Sequence, residues 1–293
     1  MRTLIGWLGR AISAALFYSP AWLRHGLGNF LAFLWFDLLR IRRKVVLANI
    51  GIAYPEMSLR DRTRIGRRSL QALGRNFIEY CFLPYLTKDN YSQYCRFENH
   101  ELVDRLFQQG KGILMVTLHM GHGDLACAAM SLHGWPTVMV SKVFKFKWLN
   151  DIWFGMRERL GTRFIPPRDS SFALLKALKR NAAVVIPLDQ FTGPPIGVRT
   201  TFFGVETGTA AGMAVMAERS GAPVVVVYTY RDAKGKHVLH FVCEVEVMNN
   251  LEKDPEATRR VTQTFNDELE KLVRLHPEQW MWIHKRWKKF VVT

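Results

Sequence analysis

Residues 112–124 read GILMVTLHMGHGD. The apolar run 112–118 is too short for a typical helix and ends abruptly in polar chemistry, so it reads as a buried strand. Residues 124–133 then place Ala126, Cys127, Ala129 and Met130 on one packing face, which reads as a helix. The same alternation continues outward. PTVMVS ends a strand near 141, 150–160 is a helix, TRFIPP at 162–167 a short strand, 169–179 a helix and AAVVIPL at 182–188 a strand. Residues 207–220 read as a small-residue helix closed by Gly221, followed by the strand APVVVVYTY at 222–230. HVLHFVCEVEV at 237–247 has partial period-2 alternation and suits an antiparallel or edge strand, and 254–275 is a long helix. Strands alternating with helices predict an α/β fold with a mostly parallel central sheet flanked by helices. Ligands in such sheets lie beyond the carboxyl ends of the strands, which singles out the residues after Leu118 and Leu188.

The wider chain has 293 residues, 48 % hydrophobic and 23 % charged, a composition neither disordered nor fibrous. Its net charge of +16 is unevenly placed. Residues 1–75 hold thirteen Arg or Lys against Asp37, Glu56 and Asp61. Two uncharged runs, 11–23 and 26–36, open that stretch, each below the roughly 20 apolar residues of a straight membrane span. No small-x-small site closes the first run before Pro20, so signal-peptide cleavage is not expected. Meeting at Pro20–Arg24, with Trp7, Trp22 and Trp35 along them and RIRRK at 40–44 behind, the runs predict an N-terminal helical hairpin or interfacial membrane anchor drawn to anionic lipid. The plainer alternative is a pair of core helices beneath a wet basic face. Nucleic acid is the least favoured partner, because no recognition motif accompanies the charge. The expected division is an anchor over 1–39 and a catalytic domain over 40–293, with a helical lead-in at 40–110, an α/β core at 111–250 and a C-terminal helix with a Trp/Lys-rich segment at 251–293. Cys81, Cys95, Cys127 and Cys243 lie far apart and read as reduced, mostly buried thiols.

His119 leaves the first strand and Asp124 opens the next helix as its expected cap. Gly121 and Gly123 between them permit a tight turn. If the connection folds back, Asp124 accepts a hydrogen bond from one imidazole nitrogen, and the other faces outward as a base for a hydroxyl or amine. GxSxG is absent, so direct attack by an acceptor hydroxyl is more economical than a serine intermediate. Two alternatives stand beside this dyad: a metal site drawing on His119, His122, Asp124, His133 and Asp189, and a structural or capping role.

Further candidates follow other strand ends. Arg168 in PRDSS at 167–171 stands beside a helix N-terminus, where an anion has two coincident attractions. LDQ at 188–190 places Asp189 and Gln190 at a strand end, able to position a hydroxyl or a basic partner or merely to anchor the loop. Arg199 follows the stiff GPPIG connection, whose Phe202 and Phe203 offer apolar surface. PEQWMWIHKRWKKF at 277–290 interleaves Trp280, Trp282 and Trp287 with cations. That suits a lipid interface, or a segment whose tryptophans cover the core while its cations stay wet.

HMGHGD at 119–124, LDQ at 188–190, TTFFG at 200–204, APVVVV at 222–227 and PEQWMWIHKRW at 277–287, in this order behind a basic apolar N-terminus, resemble the lipid A biosynthesis acyltransferase family. These are the late lauroyl and myristoyl acyltransferases of Gram-negative bacteria, related more distantly to the His-x4-Asp glycerolipid acyltransferases. The resemblance spans nearly the whole chain. It implies a glycerolipid-acyltransferase-like fold and transfer of a fatty acyl chain from acyl carrier protein to a hydroxyl of a lipid A-type glycolipid, at the cytoplasmic face of the inner membrane. It implies no cofactor beyond the acyl-carrier donor, and no metal. Carried over, His119 is the general base, Asp124 orients it, and Arg168, Asp189, Gln190, Lys142 and Arg199 bind substrate. Residues 141–150 read SKVFKFKWLN where the family has an arginine-bearing polar segment, so Lys142, Lys145 and Lys147 offer point charges in place of an arginine's fork. The competing readings are an acyltransferase for another lipid acceptor, a lipid esterase using the same pair, and a non-enzymatic lipid-binding protein.

Overall fold

The computed structural model describes residues 2–143, 145–166, 170–247, 251 and 253–291. A helical lead-in comprises α1 (Arg2–Tyr18), α2 (Ala21–Phe33), α3 (Arg43–Ala53), α4 (Leu59–Glu79) and the single turn α5 (Tyr91–Tyr94). The core follows as β1 (Cys95–Glu98), α6 (His100–Phe107), β2 (Ile113–Thr117), α7 (Gly123–His133), β3 (Thr137–Val140), α8 (Lys147–Glu158), β4 (Arg163–Ile165), α9 (Ser171–Leu178) and β5 (Ala183–Pro187). After it come β6 (Gly197–Phe202), β7 (Val205–Ala210), α10 (Gly212–Ser220), β8 (Val224–Arg231), β9 (His237–Val245) and α11 (Pro255–Leu275).

Among the described residues seven strands form one sheet, in the order β1-β9-β8-β2-β5-β3-β4. Every neighbouring pair is parallel except β8 with β9. The apolar run of β2 follows from its central place: Ile113, Leu114, Met115 and Val116 are all fully buried. Successive side chains point to opposite faces. Leu114 and Val116 therefore join the core under α9, α10 and α11, while Ile113 and Met115 join the one under α6 and α7. Each fully buried aliphatic side chain of this kind is worth about 1.5–3 kcal/mol. β9 is antiparallel to β8 but is not an edge, because β1, a strand the sequence pattern does not announce, covers it.

Residues 207–210 depart from the expected helix. They belong to β7, which forms an antiparallel ribbon with β6. Thr207 and Thr209 are β-branched and suit a strand. Thr200 and Thr209 join their hydroxyls at 2.8 Å across the ribbon, and Asn266 of α11 donates to both.

The N-terminal membrane anchor is corrected, and with it the inner-membrane placement resting on it. Among the described residues no helix is long and apolar enough to cross a membrane. The runs break at Pro20 and pack on the protein itself. Phe17 of α1 stacks on Tyr85, and the Ser13 hydroxyl donates to the Cys81 carbonyl at 2.6 Å. α2 crosses α4 so closely that a Cβ on Gly74 would lie 2.2 Å from the Gly28 carbonyl oxygen. Ala32, Phe36, Val46 and Ile50 are buried in the resulting helix layer. Tyr18, Trp22, Phe30 and Trp35 stay exposed on its outer side.

Candidate active site

The register of β2 and β5 ends on the pair Thr117–Pro187, and His119 and Asp189 each lie two residues further on. Two parallel strands thus deliver the imidazole and the carboxylate side by side. Nδ1 of His119 donates to Oδ1 of Asp189 at 2.7 Å. The backbone N–H of His119 and the indole N–H of Trp280 both donate to Oδ2, at 2.9 and 2.7 Å. Asp189 is only 3 % exposed. Burial alone would raise its pKa, but the imidazole charge and these three donors hold it at about 2. Burial likewise opposes charge on His119, yet the Asp189 carboxylate outweighs it and moves the imidazole above its ordinary value. With Nδ1 committed to Asp189, Nε2 is the accepting position of the ring.

On the Nε2 side stands Gln190. Its amide nitrogen lies 3.2 Å from Nε2 of His119 and 3.1 Å from Nε2 of His284, a residue of the irregular C-terminal segment. That segment is tied into the site. Met281 N–H donates to the His119 carbonyl at 3.0 Å. Arg286, fully buried, donates to the carbonyls of Gln190 and Gly208, both at 2.9 Å, and burial lowers its pKa to about 10. Trp280 and Trp282 are buried too, so their rings cover the core.

The expected His119–Asp124 hydrogen bond is corrected. Asp124 lies in the first turn of α7, where it accepts from the Tyr80 hydroxyl and pairs with Arg157 of α8. It reaches His119 only as a nearby negative charge. Nor does it cap the helix: Nδ1 of His122 accepts the Leu125 N–H at 3.3 Å. Arg157 is almost fully buried and lies over the Phe164 ring at 3.8 Å. Asp124→Ala would leave that cation buried without its counter-charge, and the expected loss is about 3–5 kcal/mol of unfolding free energy, read by urea titration.

The alternative metal cluster is dispersed. His133 stands at the far end of α7, bonded to the Tyr91 hydroxyl at 2.7 Å, and Asp189 is engaged by three donors. His122 is buried between Tyr80 and His237, and burial together with the nearby His237 charge lowers its pKa to about 4. Among the described residues no group of three His, Cys, Asp or Glu side chains could hold a metal ion.

The loop after β2 is held from beneath. Asn76 of α4 donates to the Gly121 carbonyl and the Thr229 hydroxyl to the Met120 carbonyl, both at 2.6 Å. Gly121 has φ +57°, and a Cβ there would lie 2.5 Å from the Thr229 carbonyl oxygen. Gly121→Ala is therefore expected to cost about 1–2 kcal/mol for the left-handed backbone, with the overlap in addition. A lowered thermal midpoint would accompany a displaced His119.

This support rests on a deeper ion cluster. Glu79 receives two guanidinium bonds from Arg231, at 2.9 and 2.6 Å, and one imidazole bond from His237 at 2.8 Å. Burial works against its charge, but these partners hold its carboxyl far below the usual range.

A family description matches residues 1–289, nearly the whole chain: bacterial lipid A biosynthesis acyltransferase. The chain belongs to this family. It is similar to the lipid A biosynthesis lauroyltransferase of Escherichia coli K12, at 25 % identity over 98 % of this chain and 92 % of the relative. The palmitoleoyltransferase of the same organism is 23 % identical over 85 % of this chain and 80 % of the relative. Its myristoyltransferase is 21 % identical over 95 % of this chain and 85 % of the relative.

The remaining sequence candidates of this acyltransferase divide. Lys142, on the exposed loop after β3, sends its charge toward both His119 and His284. Arg199 is not brought to the site: it pairs with Glu206 across the β6–β7 ribbon at 2.8 Å. Arg168 lies outside the described residues. At the carboxyl ends of β3 and β4 is a cavity of about 450 Å3, walled by Val143, Phe154, Phe164 and Pro166 with Asn150 and Glu158 among them. His119 does not line it; Arg157 links its wall to Asp124. No sequence pattern assigns Trp280, His284, Arg286, Tyr80 or Arg157 to the site. A signal for Trp280 was present, since a buried indole needs an acceptor and Asp189 was a strand-end carboxylate without an assigned partner.

Proposed function

We propose that this acyltransferase moves a fatty acyl chain from acyl carrier protein to a hydroxyl of a lipid A-type glycolipid precursor, with His119 as general base and Asp189 as the carboxylate that orients it. The observation carrying this reading is the Asp189-held imidazole, whose second nitrogen faces Gln190 rather than a buried partner. The acceptor hydroxyl gives its proton to Nε2 as its oxygen attacks the thioester carbonyl. Asp189 stabilises the imidazolium, which then protonates the departing thiolate. Asp124 strengthens the base at a distance and fixes the α7–α8 junction. A carrier protein of acidic character is drawn to a chain of net charge +16, and Lys142 meets an anionic part of donor or acceptor at the rim. Arg168 contacts the headgroup, and so does Gln190 once it has moved off the two imidazoles. The work is divided within 40–293: the α/β core at 111–250 supplies the pair, and 251–293 supplies the indole that fixes it.

The test is incubation of purified protein with acyl carrier protein thioesters of several chain lengths and a panel of lipid acceptors, read by mass spectrometry. Gain of one acyl chain by the lipid A precursor is the expected result. Acylation of a glycerolipid or aminolipid instead would move the acceptor assignment, and thioester hydrolysis without transfer would replace the reading with an esterase.

A further inference from the structure

The Gln190 amide lies between the two imidazoles of His119 and His284. A polar atom at its amide position meets two imidazole nitrogens at once, Nε2 of His119 at 3.2 Å and Nε2 of His284 at 3.1 Å. The two rings are 6.0 Å apart, centre to centre. His284 is anchored on both sides: its carbonyl accepts from the Asn49 amide of α3, and the Ile283 carbonyl accepts from Arg42 at 3.1 Å. Nδ1 of His284 has no hydrogen bond to the protein among the described residues.

We propose that His284 is a second catalytic residue of the transfer, its Nε2–H holding the carbonyl oxygen of the acyl thioester as negative charge develops there. This rests on the reading of His119 as general base. Electrostatics divide the labour between the rings. His284 is lowered below its ordinary value, first by burial and then by the positive charges of His119, Arg42 and Lys142, against the opposing pull of Asp189. His119 is raised. Paired groups driven in opposite directions separate into a base and a neutral donor, and a neutral imidazole can offer its N–H without releasing the proton. In this structure Nε2 of His284 accepts from the Gln190 amide, so the donor role requires Gln190 to move aside and the ring proton to sit on Nε2 rather than Nδ1.

The step balances without a co-reactant. The hydroxyl oxygen bonds to the carbonyl carbon as its proton moves to Nε2 of His119. The carbonyl π pair moves onto oxygen, where His284 donates. Collapse restores the carbonyl and breaks the C–S bond, and the thiolate takes the proton from His119. The products are an ester and a free thiol, and His284 ends as it began.

The experiment compares full-length His284→Ala and His284→Gln in the transfer assay, using acyl carrier protein thioester and lipid A precursor as probes. His284→Ala is expected to lower kcat by about 10²- to 10³-fold, the usual cost of one oxyanion donor, with KM for both substrates nearly unchanged. The acid limb of the rate profile, set by His119, should stay in place. His284→Gln, whose amide still donates an N–H, should recover about tenfold of the loss. Independently of turnover, infrared spectroscopy of a bound acyl-pantetheine thioester labelled with carbon-13 at the carbonyl should show a lower carbonyl stretch in the native chain than in His284→Gln, and lowest polarity at the carbonyl in His284→Ala. A kcat within about threefold of the native value, a rise in KM alone, or an unmoved carbonyl stretch would overturn the proposal. If His119→Ala also retains turnover, the underlying reading fails. If His119→Ala is inactive while His284→Ala works normally, only the role of His284 is lost. Should His284→Ala not fold, the glutamine variant and the carbonyl stretch decide.

Discussion

Asp189→Asn is expected to lower the rate of acyl transfer by about 10⁴-fold while leaving the protein folded, the scale found when the orienting aspartate of a catalytic triad becomes asparagine. The change is nearly isosteric but removes the charge. An asparagine oxygen can still serve the indole of Trp280 and the backbone of His119, which at present converge on Oδ2. Its amide nitrogen then faces Nδ1 of His119 as a donor, pushes the ring proton toward Nε2 and fills the position where the acceptor proton must go. The pH dependence gives a second sign. His119 is held above its ordinary value because Asp189 outweighs burial, so native activity falls as pH drops through that raised value. Without the carboxylate, burial is opposed only by the more distant Asp124. The acid limb should therefore move to lower pH even as the plateau collapses. Initial rates across pH, with circular dichroism as the folding control, check both features.

His119→Ala is expected to lower transfer by about 10²- to 10⁴-fold, the range general-base catalysis contributes. The side chain is a third exposed, and its structural bonds run mainly through its backbone: the N–H to Asp189 and the carbonyl to Met281. Alanine keeps both, so a folded protein with an empty base position should result. The loss should lie in kcat, with little change in KM for the acyl donor, because the imidazole acts on the proton of the acceptor and not on the acyl chain. A variant retaining more than about a tenth of native kcat would remove His119 from the chemistry.

The two residues at the centre of these expectations show what the sequence could convey. His119 and Asp189 were legible because each follows a compact apolar run, and parallel strands bring such ends together. Their pairing was not legible, because it depends on β2 and β5 being neighbours in register. That adjacency is decided by the whole sheet order and not by local pattern. Asp124 looked the better partner for His119 because it is close in sequence. The turn through Gly121 and the start of α7 instead carry its carboxylate to Tyr80 and Arg157, from α4's exit and α8. The N-terminal runs misled for a related reason. An apolar helix meant for a membrane and one meant for another helix have similar composition, and only the near-contact of Gly28 with Gly74 reveals the second. In PEQWMWIHKRW the dense cations suggested a surface, but Arg286 is buried by carbonyls and hydroxyls that 190, 208 and 209 supply from far away in the chain. Residues 207–210 are small, but Thr207 and Thr209 are β-branched, and pairing with β6 makes them strand.

The most direct test is nitrogen-15 NMR of the His119 ring followed across pH in the native chain and in Asp189→Asn. The expected result is a neutral ring protonated at Nδ1, titrating above the ordinary histidine value of about 6.5 in the native chain and at lower pH in the variant. A ring protonated at Nε2, or a midpoint that Asp189→Asn leaves unmoved, would contradict an imidazole held for base catalysis by Asp189.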